Sequence, residues 1–136
     1  MMTRLRLTVL VAAASAALLC STTAVFGADF DGSKPLICAT VDAHACDPGE
    51  VCLRGLPDSI GIPEFMRIDF AKKTIAGPKR TTQIRYMDKS ADQVLLQGTE
   101  LGYAWTIALD TADGSMTLTL VSRDDAFTVF GYCTPP

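Results

Sequence analysis

Tyr103-Ala104-Trp105-Thr106-Ile107-Ala108-Leu109, then Thr111-Ala112-Asp113-Gly114, then Met116-Thr117-Leu118-Thr119-Leu120-Val121 is the stretch on which the fold turns. In its first run Tyr103, Trp105, Ile107 and Leu109 share one face, the period of a strand buried on one side. Gly114 stands where a hairpin turn needs a positive φ. Two antiparallel strands joined by a tight turn are expected here.

The same grammar extends in both directions. Upstream, residues 83–87 and 93–98 make a hairpin around Asp88-Lys89-Ser90-Ala91-Asp92, and downstream Ser122-Arg123-Asp124-Asp125 turns the chain into a last strand, 126–133. Farther upstream, Met66, Ile68 and Phe70 alternate with Arg67 and Asp69, and Ala71-Lys72-Lys73 leads tightly into strand 74–76. Strands are expected at 36–41 and 50–54, with the Val41-Asp42-Ala43-His44-Ala45 segment open to a single helical turn instead. Gly55, Pro57, Gly61 and Pro63 interrupt any ladder, so 55–63 reads as a loop, a binding edge or a lid over one end of a barrel. The total is eight or nine strands with turns every 10 residues or so (about the spacing of all-β domains). The expected fold is all-β, an antiparallel meander closing as a small barrel, with a two-sheet sandwich as the alternative. A barrel hides the edges that an open meander exposes.

The start of the chain has a different character. Arg4 and Arg6 precede an apolar run at 7–19, and the chain then becomes small and polar. This is the pattern of a secretory signal, with cleavage expected after Gly27 and a single exported domain over 28–136. The run is too short to span a bilayer comfortably, and no second one follows, so no stable membrane insertion is expected after its removal. Lipidation at Cys20 is the competing reading, but Leu19 is bulky where a lipoprotein signal has a small residue. Removing Arg4 and Arg6 from 12 basic against 15 acidic residues leaves a net charge of −5. That lacks the basic footprint of a nucleic-acid binder.

Export gives the cysteines their meaning. Cys38, Cys46, Cys52 and Cys133 are an even set for an oxidising compartment, the periplasm or the medium. Three pairings are possible. Asp47-Pro48-Gly49-Glu50 favours a reversal that brings Cys46 to Cys52, leaving Cys38 for Cys133 and making first and last strands neighbours. A zinc site from His44 and these thiols competes, but there is no CxxC pair and exported thiols oxidise.

Few residues point to chemistry. His44 is the one histidine, and Ser33, Ser59, Ser90, Ser115 and Ser122 lie outside any Gly-x-Ser-x-Gly elbow. A hydrolase using His44 competes with an exposed histidine beside a disulfide loop. Asp110, Asp113 and Gly114 echo a calcium loop, although turn formation accounts for all three. Lys72, Lys73, Lys79, Arg80 and Arg85 either collect into an anion-binding patch or keep a sheet edge soluble. Tyr103, Trp105 and Phe130 line a ligand cavity or pack the interior. No catalytic residue, metal or cofactor is assigned.

Phe70-Ala71-Lys72-Lys73-Thr74-Ile75-Ala76-Gly77-Pro78, Gln97-Gly98-Thr99-Glu100, Trp105 to Leu109 with Asp113-Gly114, and Phe130-Gly131-Tyr132-Cys133 resemble small exported proteobacterial proteins without assigned activity. More loosely, the chain is similar to bacterial inhibitors of c-type lysozyme, which are exported antiparallel barrels with a C-terminal disulfide. Their inhibitory loop carries Ser-Gly and aromatic-Lys-Gly elements. The matching region, Gln97-Gly98 and then Trp105-Thr106, has neither the serine nor the lysine. The expected function is a non-enzymatic β domain that binds a protein or small ligand at the cell envelope. Ile60, Ile62, Tyr103 and Trp105 are its expected contacts, and a periplasmic lysozyme-type inhibitor is the alternative.

Overall fold

The computed structural model describes residues 29–136. The expected signal at 1–27 and Cys20 lie outside the described residues. Ten strands form one antiparallel sheet: β1 (Leu36–Cys46), β2 (Leu53–Gly55), β3 (Phe65–Asp69), β4 (Thr74–Ala76), β5 (Thr81–Gln83), β6 (Tyr86–Lys89), β7 (Gln93–Glu100), β8 (Tyr103–Asp110), β9 (Ser115–Val121) and β10 (Ala126–Thr134). Their order is β5-β4-β3-β1-β10-β9-β8-β7-β6, with β2 beside β1.

The two ends of that order are consecutive in the chain. Only Ile84 and Arg85 separate β5 from β6. Ile84 N donates to Lys73 O on one side (2.8 Å), and Arg85 N donates to Gln97 O on the other (2.8 Å). A single strand thus changes partners at these two residues and curls the sheet back on itself. The expected barrel is the architecture observed.

Alternation decides what the barrel encloses. Leu36 and Cys38 on β1, Met66 and Ile68 on β3, Val94 and Leu96 on β7, Trp105, Ile107 and Leu109 on β8, Met116 and Leu118 on β9, and Val129 and Cys133 on β10 are all buried. Each set steps by two, or by four on β10, so one face of each of these strands meets in the core. Gly98 interrupts the series on β7 because it stands opposite Trp105 in register. The indole lies where a Cβ at Gly98 would be, and Gln83 O is 2.7 Å from the same point. Gly114 has the positive φ (75°) that its turn requires.

Both disulfides match the expected pairing. Cys38 and Cys133 face each other across β1 and β10 and are joined. Cys46 and Cys52 close a short loop at the far end of β1.

Four local features differ from expectation. The segment 41–45 is strand, not a helical turn: β1 continues through it to Cys46, with a bulge between Thr40 and Asp42. Its backbone pairs with β10 on one side and β2 on the other, and this non-local pairing outweighs local composition. The second strand begins at Leu53, not at 50, because Glu50 N turns back to Asp47 O (3.2 Å) inside the disulfide loop. Strand β5 was not expected, and the loop 55–63 contains a 3-10 turn, Pro57–Ile60. Among the described residues no helix is long and apolar enough to cross a membrane.

Candidate functional site: a cavity at one end of the barrel

The loop 55–63 roofs an open-ended cavity of about 520 Å³. Ile60 and Ile62 reach it from the loop, Tyr103 and Trp105 from β8, and Leu120 and Phe127 from β9 and β10. Deeper, Met66, Ile75, Ile107 and Leu118 continue its wall into the core. The size and the mostly apolar lining are those of small-molecule sites in proteins.

The loop is placed by its own backbone and by β1. Gly61 N donates to Asp58 O (3.1 Å) and Ile62 N to Pro57 O (3.0 Å), closing the 3-10 turn on itself. Gly61 takes a left-handed φ of 79° to end that turn. The exit of the loop is pinned where Thr40 Oγ1 donates to Pro63 O at 2.9 Å. Ile60 and Ile62 therefore turn inward and pack against the core.

The floor has distinct polar features. Tyr103 Oη donates to Asp125 Oδ2 (3.1 Å), and Asp125 also accepts from Ser122 Oγ (2.5 Å). The hydrogen bond to Asp125, then loss of hydration, raises the Tyr103 pKa above its ordinary 10.0. A raised folded-state pKa means this contribution to stability is complete below pH 10.0 and is lost as pH rises through the folded value. Spectrophotometric titration should show Tyr103 ionising later than free tyrosine, and Asp125→Asn should return it toward the ordinary value. An unchanged titration in that variant would refute the pairing. Trp105 is 4% exposed, and its Nε1 has no hydrogen-bond partner among the described residues.

The rim carries charge and one strained residue. Arg80 Nη1 pairs with Glu100 Oε1 at 3.5 Å, and Lys79 stands beside them. Leu101 occupies the two-residue turn between β7 and β8 with a φ of 49° and is 73% exposed. A leucine held in the left-handed region costs about 1–2 kcal/mol.

The other sequence candidates are dispersed. The five basic residues divide: Lys72 pairs with Asp69 (3.7 Å) at the turn before β4, while Lys79 and Arg80 follow β4 at the cavity rim. Phe130 does not line the cavity. It is 41% exposed on the outer face, opposite Asp42, because Val129 beside it points inward. Phe127, of the same parity as Val129, supplies the third aromatic wall. That residue was legible from the alternation ending at the buried Cys133, and Leu120 equally from Leu118. The charged rim carried no such signal.

His44 lies on the outside, with Nε2 3.7 Å from Asp42 Oδ2 and its ring edge-on to Phe130 at 6.1 Å. Asp42 also accepts from Arg54 Nε (2.8 Å), and this bond holds its carboxyl below the usual carboxylate range. Among the described residues no serine hydroxyl hydrogen-bonds to His44. The four cysteine sulfurs are consumed in disulfides, so they offer no thiolate ligands. Asp110 Oδ1 accepts from Ala112 N (2.7 Å) and Asp113 Oδ1 from Ser115 N (2.8 Å), the geometry of turn formation. Of the positions compared with the inhibitor loop, Gly98 and Trp105 are buried, Thr106 is half-buried and Gln97 is exposed. No protein-family model, curated protein or solved structure matches the chain.

Proposed function

We propose that this protein is an exported, non-enzymatic binding domain of the cell envelope that takes a small, largely apolar ligand into the end of its barrel. The cavity beneath Ile60 and Ile62 carries this reading, because its apolar wall gains little from water and much from an apolar occupant. The strained, exposed Leu101 at the rim adds to it, since local strain concentrates at binding sites. Export to the periplasm or medium rests on the apolar start of the chain, and the two disulfides fit such an oxidising compartment.

The chain has a single tryptophan, and it lines the cavity, so its emission reports occupancy. Titration with 1-anilinonaphthalene-8-sulfonate, an anionic aromatic probe that reports apolar sites, should quench Trp105 saturably with one probe per chain. Ile60→Asp should weaken the probe about tenfold by placing a charge in the apolar wall. Tyr132→Ala, on the outer face, should leave affinity unchanged. Absence of saturable quenching, or equal losses in the two variants, would overturn the reading.

A further inference from the structure

Two disulfides of opposite character hold this barrel. Cys38 and Cys133 are 0% and 6% exposed, enclosed in the β1–β10 ladder. Cys52 is exposed, Cys46 is half-buried, and all of 47–51 between them is exposed. A thiolate can approach the second bond directly, whereas the first is reached only by opening the sheet.

The position of the exposed bond gives its reduction a consequence. Cys52 leads straight into β2, and β2 leads through Leu56 into the 3-10 turn that carries Ile60 over the cavity. At this entry three links tie the strap to β1, ahead of the buried Pro57 that opens the 3-10 turn. They are the disulfide, the three-residue pairing of 43–45 with 53–55, and the Arg54–Asp42 ion pair at 2.8 Å. All three residues of β2 are exposed, so that strand adds no buried side chain to its own retention. The exit is fastened separately at Thr40 and Pro63. Cutting the Cys46–Cys52 bond would leave the entry on three residues of exposed strand pairing and one ion pair while the exit stays tied, which is the mechanical arrangement of a hinged cover.

We propose that Cys46–Cys52 is a redox latch on the cover of the cavity, opened by a dithiol reductant while Cys38–Cys133 stays intact. Its regulatory meaning depends on the cavity being the binding site proposed above. One thiolate of the dithiol attacks Cys52 Sγ, forming a mixed disulfide and expelling the Cys46 thiolate. The second thiol of the reductant then displaces Cys52, and the reductant leaves as its own disulfide. Two electrons pass to the protein, and its two sulfurs end as protonated thiols. Ile60 and Ile62 are then held by their packing, by the exit, and at the entry by the three-residue β2 pairing and the Arg54–Asp42 ion pair alone.

Dithiothreitol is a suitable probe on the oxidised mature protein, with alkylation and peptide mass mapping to locate the thiols formed. Cys46 and Cys52 should be labelled at concentrations that leave Cys38 and Cys133 unlabelled. In that species amide hydrogen exchange over 53–62 should accelerate about tenfold or more, with β8 unchanged. Release of 1-anilinonaphthalene-8-sulfonate should quicken in parallel, and Cys46→Ser with Cys52→Ser should reproduce both effects without reductant. Simultaneous reduction of the two bonds, or unchanged exchange over 53–62, would overturn the latch. Accelerated exchange with no probe bound to either form would support the latch and overturn the binding reading.

Discussion

Replacing Cys38 and Cys133 together by alanine should lower the free energy of unfolding by about 4.7 kcal/mol, the loop-entropy value for a crosslink of this span. The bond joins residues 95 apart in sequence, so its loss releases most of the described chain from one closed loop in the unfolded state. In the folded state little changes, because both positions remain paired in the β1–β10 register and alanine is accommodated in a strand. The matching removal of Cys46 and Cys52, only six residues apart, should cost about 2 kcal/mol on the same model. Guanidinium denaturation of the two double variants under oxidising conditions compares them directly. Equal losses would show that span does not govern the effect, and that strand pairing already constrains β1 and β10 in the unfolded chain.

Gly131→Ala should cost about 3 kcal/mol, the upper part of the usual range for overpacking. Gly131 faces inward on β10, opposite Thr40, where β1 begins its bulge. A Cβ there would collide with the carbonyl oxygen of Ala39 and lie 3.0 Å from Met116 Cε. Methionine can move aside, but the carbonyl belongs to a strand hydrogen-bonded on both edges. Relief therefore requires β1 and β10 to separate next to the Cys38–Cys133 crosslink. Gly49→Ala is the natural comparison: its φ is 80° with nothing within 4 Å of the added carbon, so only conformational strain of about 1 kcal/mol applies. Urea denaturation would rank the two. A Gly131→Ala loss no greater than that of Gly49→Ala would mean that β10 slides freely against β1, contrary to the packing described.

The legible parts of the molecule are those governed by neighbours two residues apart. Tyr103, Trp105, Ile107 and Leu109 fall on one face in sequence and in space, and so do Met66, Ile68 and Phe70. Phe130 lies on the outer face instead, because counting by two back from the buried Cys133 reaches Gly131 and Val129 and skips it. Segment 41–45 was ambiguous for a deeper reason: Val, Asp, Ala and His have no strong common preference, and β2 and β10 settle the matter from both sides. Strand β5 was hidden because Thr81, Thr82 and Gln83 are exposed or half-buried, so no apolar alternation announces it.

The sequence by itself determined the all-β class, the inward residues of the long strands, and a disulfide pairing that made first and last strands neighbours. These follow from the two-residue period of a strand and from the chemistry of one turn, both local. The partner exchange at Ile84 and Arg85, and the meeting of Ile60, Trp105 and Phe127 around one cavity, were decided only by tertiary structure. Register and curvature accumulate over many strands, so where the loop 55–63 comes to rest relative to β8 and β10 is a property of the closed sheet and of no segment within it.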